Sequence, residues 1–216
     1  MWTPSNRHAG GVTLLGGLLA LVASVPTRWF GPVPDDSYVF DPPRFSALWI
    51  ERTVVPVVAV GAAVLILAGL LALFRRDRER MARWQRWFAI VSVVGAAVGT
   101  LATMLLVSAG PQATADITTA LNALLGAGLA LLALVLLFPG LVAWGSGYLL
   151  AERPRLGAAL AGGPVGALLV LAVNVAGGVE FDPVGALPTA LPIVLGVMVV
   201  GYDLWNRGES GSDVTV

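Results

Sequence analysis

The sequence predicts an all-α fold: a polytopic transmembrane helical bundle of about six spans in a single domain, residues 1–207. The first observation behind this prediction is composition. Hydrophobic residues make up 57% of the chain and charged residues only 12%, whereas a soluble domain has about 25% charged residues. The second is that the charges are clustered, which leaves six long windows with none. These are residues 9–27, 53–74, 87–115, 117–151, 156–179 and 183–202.

The length of the windows is the third observation. A helix needs about 20 apolar residues to cross a hydrocarbon core of about 30 Å, and each window reaches or nearly reaches that length. Backbone groups in lipid must be paired within the segment, so the windows should be helices. Their continuous apolar runs do not alternate as barrel strands do. The predicted spans are residues 10–25, 54–74, 88–107, 117–138, 156–176 and 186–205.

Two of the spans leave alternatives open. Arg7, the apolar run that follows it and the small residues Ala23 and Ser24 fit either a retained signal anchor or a cleaved signal peptide. The fourth window is too long for one untilted crossing and is divided by Pro139. Because proline removes a helical hydrogen bond, residues 139–150 either extend this span to 150 as a bent helix or turn into the interface.

The arginines predict the orientation, because cytoplasmic loops carry the excess of basic residues. With six spans, one side holds ten arginines and the other holds Arg28, Arg44 and Arg52. The N-terminus and the tail, residues 208–216, are therefore predicted to be cytoplasmic in a multi-pass protein of the cell membrane, with 26–50 as an outer loop. The segment 75–87 is interpreted as a topology determinant or as a docking site for a cytoplasmic partner. The ten are Arg7, Arg75, Arg76, Arg78, Arg80, Arg83, Arg86, Arg153, Arg155 and Arg207.

Composition also argues against several classes of chemistry. The formal net charge is zero, which argues against a nucleic-acid partner because phosphate binding needs a cationic surplus. The chain has no cysteine, so thiolate metal sites and thiol nucleophiles are excluded. No predicted span carries an ionisable residue near its centre, and the single histidine, His8, precedes the first span. We therefore predict no enzyme, no cofactor and no catalytic or metal-binding residue.

Two groups of residues are candidates for contacts. The pairs Gly95 and Gly99, and Gly162 and Gly166, place small residues on one face of a helix, which allows another backbone to approach closely. In the outer loop, Asp35, Asp36 and Asp41 are candidates for contact at the outer surface. With Glu180 and Asp182 these carboxylates could bind a hard cation, although solvated acidic residues are the simpler interpretation.

The chain resembles the small multi-pass membrane proteins of haloarchaea, some of which are associated with surface-protein sorting by archaeosortase. The resemblance is carried by the outer stretch 40–45 (FDPPRF) and by the ending 202–205 (YDLW). All 13 basic residues are arginine, a bias that suggests a GC-rich genome. Archaeosortase itself would require a catalytic cysteine, which this chain lacks, and the resemblance assigns no functional residue.

The leading functional hypothesis is a non-enzymatic accessory or scaffolding component of a membrane complex, with the lipid bilayer and a membrane-protein partner or a second copy of the chain as its contacts. The alternative is a permease or transporter subunit for a small neutral solute, suggested by prolines and by neutral polar residues within the spans. A third hypothesis is an enzyme that acts at the outer surface through the acidic residues. These are Asp35, Asp36, Asp41, Glu180 and Asp182.

Overall fold

The computed structural model describes residues 6–24, 53–109, 116–178 and 183–206, the side chains of Asn6 and of residues 183–189 excepted. Within these ranges the regular structure consists of six helices and no strand, as the apolar windows predict. The helices are α1 (Asn6–Ser24), α2 (Val55–Asp77), α3 (Arg83–Ala109), α4 (Ile117–Leu150), α5 (Pro154–Ala176) and α6 (Pro183–Asn206). The predicted outer loop and the tail after residue 207 lie outside the described residues.

The molecule is an all-α polytopic membrane bundle, as predicted. Helices α1 to α5 are each long and apolar enough to cross a membrane. In α6 the described apolar stretch, Ala190–Asn206, is shorter. The apolar side chains that face outward on these helices, such as Leu131 and Val135 on α4, are mostly exposed, as expected of surfaces that meet lipid rather than water.

The six helices form a closed ring. Each helix packs against its neighbours in sequence, and α1 also packs against α6. Since the chain reverses direction at every connection, the starts of α1, α3 and α5 meet the ends of α2, α4 and α6. The guanidinium of Arg7 accordingly lies 5.0 Å from the ring centroid of Trp205. We call this end of the ring, which carries Arg7, residues 75–86 and residues 153–155, the arginine-rich end.

Glycines allow the helices of the ring to approach closely. At Gly95, for example, an added Cβ would lie 2.8 Å from the backbone nitrogen of Leu137, so α3 contacts the backbone of α4 directly. Such contacts replace the hydrophobic driving force that helices in lipid lack. Other glycines lie similarly close to a neighbouring helix in the pairs α1–α2, α3–α4, α4–α5, α5–α6 and α1–α6. They are Gly16, Gly69, Gly126, Gly140, Gly145, Gly157, Gly163, Gly196, Gly10 and Gly201.

At the arginine-rich end, each helix extends beyond its predicted span. α2 continues to Asp77 and α3 begins at Arg83, whereas the predicted spans end at 74 and begin at 88. A charge-free window marks where the hydrocarbon region ends, and a helix can continue beyond it into the headgroup region. Helix α4 is continuous through Pro139 to Leu150, so residues 139–150 extend the fourth span, which is one of the two predicted alternatives.

Candidate functional site

The residues selected from the sequence occupy different parts of the structure. Gly95 and Gly99 both face α4, where the Cβ that would be added at Gly99 lies 3.4 Å from the Cβ of Ala133. Gly166 faces Pro192 of α6, whereas Gly162 has no neighbour within 4 Å of its Cβ position and is exposed. Asp35, Asp36 and Asp41, together with Glu180 and Asp182, lie outside the described residues.

The main polar feature of the described residues is a buried charge network at the arginine-rich end, centred on Asp77. Arg76 donates from Nε to Oδ1 and from Nη2 to Oδ2 of Asp77, both at 2.9 Å. The Tyr148 hydroxyl donates to the same Oδ2 at 2.8 Å, and Nη1 of Arg153 donates to it at 3.4 Å. Nη2 of Arg76 also lies 3.4 Å from Oδ2 of Asp203. The Asp77 carboxylate thus joins residues of α2 and α4 and of the α4–α5 turn, and Arg76 connects them to α6.

Burial makes this network energetically important. Asp77 is only 2% exposed, and removing a carboxylate from water costs several kcal/mol, roughly, unless donors replace the lost hydration. The four donor contacts, two of them from the parallel nitrogens of one guanidinium, supply that replacement. The network therefore holds these helix ends in one arrangement, and the loss of Asp77 or Arg76 would leave the other charge without its bidentate partner.

Local backbone structure places Arg153 next to Asp77. Helix α4 ends in a Schellman motif, in which Glu152 N–H donates to Leu149 C=O at 3.2 Å and Arg153 N–H donates to Tyr148 C=O at 2.9 Å. The motif requires a left-handed residue, and Glu152 has φ of 58°. Glycine is the usual residue there because it has no Cβ. The turn thus ties the backbone of Arg153 to Tyr148, whose hydroxyl contacts the same carboxylate.

Buried side chains and side-chain hydrogen bonds hold the α2–α3 turn in place. Met81 and Gln85 are buried, whereas Arg78, Arg80 and Arg83 beside them are exposed. The amide nitrogen of Gln85 donates to the backbone C=O of Trp144 at 3.2 Å, and Gly147 leaves room for the Gln85 side chain, which a Cβ there would overlap. Nε and Nη2 of Arg86 donate to the backbone C=O of Arg78 at 3.1 and 2.7 Å and close the turn.

A polar cavity of about 140 Å³ lies between the α2–α3 turn and the α4–α5 turn. Its walls combine charged, amide and phenol groups, with few apolar side chains. The lining residues are Asp77, Arg80, Met81, Gln85, Tyr148, Ala151 and Arg153. At roughly 30 Å³ per water molecule it has room for about four waters or one small polyatomic group.

A second, apolar cavity of about 60 Å³ lies at the centre of the ring and is lined from all six helices. Its one hydroxyl-bearing residue, Thr13, donates to the C=O of Ala9 at 2.7 Å. On four helices, bulky and fully buried side chains lie between this cavity and the arginine-rich end. They separate the apolar cavity from the polar cavity. These side chains, the plug, are Leu73, Trp144, Leu156 and Leu204.

Most of the site was missed by the sequence analysis. The sequence had assigned no role to Asp77, Asp203 or Tyr148. The available signal was the position of the two carboxylates near predicted span ends, Asp77 among arginines and Asp203 four residues before Arg207, because a carboxylate there can pair inward while the arginines face headgroups. Among the described residues no group of three or more His, Cys, Asp or Glu side chains could hold a metal ion.

Comparison of the chain with protein-family models, with curated proteins and with solved structures finds no match.

Proposed function

We propose that this chain is a non-enzymatic accessory or scaffolding component of a membrane complex, and that its contact surface at the arginine-rich end is the α2–α3 turn. The single observation that carries the proposal is the buried network of Asp77, which fixes that turn on three helices. A scaffold needs such a surface, since a preorganised contact loses less conformational entropy on binding.

The charge of the turn indicates the kind of partner. Between residues 75 and 86 there are six arginines, one aspartate and one glutamate, so the segment carries a net charge of +4. Arg75, Arg78 and Arg83 are exposed, and so is Trp84. Arginine and tryptophan are enriched among the residues that dominate protein interfaces. The surface suits an acidic segment of a membrane protein or of a protein bound at the cytoplasmic face, the side to which the excess of arginines assigns it.

The hydroxyl groups inside the spans support a structural role. Ser92, Thr100 and Thr103 on α3 each donate at 2.9 Å to the backbone C=O four residues earlier, and Ser146 on α4 does so at 2.8 Å. A hydroxyl paired in this way has its single proton engaged within its own helix and offers no donor to a ligand.

The experiment that tests the proposal is purification of the C-terminally tagged protein from its native membranes in a mild detergent, followed by identification of stoichiometric companions. We expect a consistent companion that is lost in the triple variant Arg75→Gln, Arg78→Gln, Arg83→Gln. The matched control is Arg155→Gln, which changes an exposed arginine at the start of α5. Absence of a companion, or equal loss in the control, would contradict the proposal.

A permease or transporter subunit for a small neutral solute is the second candidate, and the two cavities favour it. The apolar cavity lies at the centre of the ring and the polar cavity at its arginine-rich end, and a closed pathway would likewise have two cavities separated by packed side chains. Flux of small neutral solutes into liposomes that contain the purified protein would support this candidate. No flux across a broad solute panel would remove it and leave the accessory role.

A further inference from the structure

The polar cavity has a surplus of positive charge. Its charged lining residues are Arg80, Arg153 and Asp77, which sum to +1. The carboxylate of Asp77 is already engaged by Arg76, Tyr148 and Arg153, so its oxygens have no need of a cation. The electrostatics of the cavity therefore favour an anion.

Hydrogen-bond donors remain on the walls after the internal contacts are counted. Arg153 uses Nη1 on Asp77, and its planar guanidinium carries further N–H groups. Gln85, which is 5% exposed, uses one amide N–H on the Trp144 carbonyl and retains a second. Arg80 is exposed at the mouth of the cavity. Two guanidinium groups and an amide are the donors that bind the oxygens of a phosphate.

The position of the cavity indicates where a phosphate would come from. It lies beside the last turns of the membrane helices α2 and α4, where the apolar spans give way to charged residues, as is typical of the headgroup region. The surrounding segment of residues 75–86 has a net charge of +4, and basic clusters at a span end attract anionic lipids. With a volume of about 140 Å³, the cavity accommodates a phosphate group.

We propose that the polar cavity between the α2–α3 and α4–α5 turns binds a phosphate group through Arg80, Arg153 and Gln85. The group belongs to an anionic lipid headgroup or to free phosphate, which share this chemistry. The proposal does not depend on the accessory role, because the arginines assigned to a protein partner are Arg75, Arg78 and Arg83, none of which lines the cavity.

The test uses the full-length protein in a maltoside detergent and a phosphate-free buffer, titrated with dioctanoyl phosphatidylglycerol, with inorganic phosphate and with dioctanoylglycerol, which lacks the phosphate. Tryptophan fluorescence gives the Kd, and the thermal midpoint shows stabilisation of the folded state by the bound ligand. The deciding variant is Arg80→Gln, because Arg80 is exposed and its loss leaves the Asp77 network intact. The matched control is Arg83→Gln, an exposed arginine of the same region outside the cavity.

We expect saturable binding of the phospholipid, weakened about tenfold or more by Arg80→Gln and unchanged by Arg83→Gln, as for the loss of one charge-assisted hydrogen bond. Binding of inorganic phosphate with the same dependence on Arg80 supports the site and identifies free phosphate as a sufficient ligand. Binding of the phospholipid alone identifies the headgroup. Equal binding of dioctanoylglycerol, equal loss in both variants, or no binding of either phosphate-containing probe overturns the proposal.

Discussion

At the scale of single residues, Asp77 connects more of the molecule than any other side chain of the network. Its carboxylate receives donors from the neighbouring Arg76, from Tyr148 on α4 and from Arg153 in the turn that follows. Neutralising it leaves Arg153 without this carboxylate and leaves Arg76, which is only 14% exposed, with Asp203 at 3.4 Å in place of its bidentate partner. Such a loss is costly because a buried charge without its partner retains its full desolvation penalty.

We therefore expect Asp77→Asn to lower the free energy of unfolding by about 3 kcal/mol, the range found when one partner of a buried ion pair is removed. The measurement is thermal or chemical unfolding of the purified variant in detergent. Glu79→Gln is the control, because this neighbouring carboxylate has 84% of its side chain exposed and should leave the unfolding midpoint unchanged. Equal midpoints for Asp77→Asn and the wild type would contradict the role given to the network.

Glu152 illustrates backbone strain at one residue. It holds φ of 58° in the Schellman motif of α4, whereas Gly178 holds φ of 67° at the corresponding position after α5. A left-handed conformation costs a non-glycine residue roughly 1 kcal/mol. We expect Glu152→Gly to stabilise the protein by up to about 1 kcal/mol and Gly178→Ala to destabilise it by about as much.

Unfolding midpoints of these two variants, measured side by side, test the assignment. Because the two positions have the same backbone conformation, the changes should have opposite signs. A destabilised Glu152→Gly variant would mean that the Glu152 side chain contributes more to stability than the strain of its backbone costs.

At the scale of elements, glycine positions determine how closely two helices approach. Helix α4 carries a matched pair for testing this: Gly147, whose added methyl group would overlap the Gln85 side chain, and Gly128, which has nothing within 4 Å. We expect Gly147→Ala to destabilise the protein by about 1–3 kcal/mol through overpacking. Gly128→Ala should be neutral or stabilising by up to about 1 kcal/mol, because alanine favours a helix.

Both variants are measured by thermal unfolding in detergent, where their different packing environments should separate them. A similar decrease in the midpoint of both would show that loss of glycine as such, rather than contact with α3, is responsible. Since Gln85 also lines the polar cavity, phosphate binding by Gly147→Ala reports in addition whether that side chain has moved.

At the scale of the whole molecule, the ring has two ends that should face opposite sides of the membrane. Glu79 lies at the arginine-rich end, and Asp116 is exposed at the start of α4, at the other end. The chain has no cysteine, so Glu79→Cys and Asp116→Cys each introduce a single reactive thiol. An impermeant maleimide applied to intact cells should label Asp116→Cys only, and Glu79→Cys should react after permeabilisation. The reverse pattern would invert the predicted orientation.

The apolar windows and their spacing were sufficient to predict a helical multi-pass membrane protein and the approximate positions of its helices. The reason is physical: a hydrocarbon environment imposes both a minimum apolar length and internal pairing of the backbone, and both constraints are local in sequence. The number of arginines in each loop between spans can likewise be counted directly from the sequence. It already placed Arg7, residues 75–86 and residues 153–155 on one side of the spans, where the structure has them.

Which side chains contact each other depends on the tertiary structure. The contacts of Asp77 with Tyr148 and with Arg153 join residues 71 and 76 positions apart in the chain. They depend on the rotation and register of three packed helices, which a hydrophobic window does not record. The closure of the ring between α1 and α6 and the polar cavity between two turns depend on the same packing. Transmembrane spans can be predicted from sequence because the lipid environment constrains each segment separately. A site, in contrast, requires several segments to be held at fixed distances.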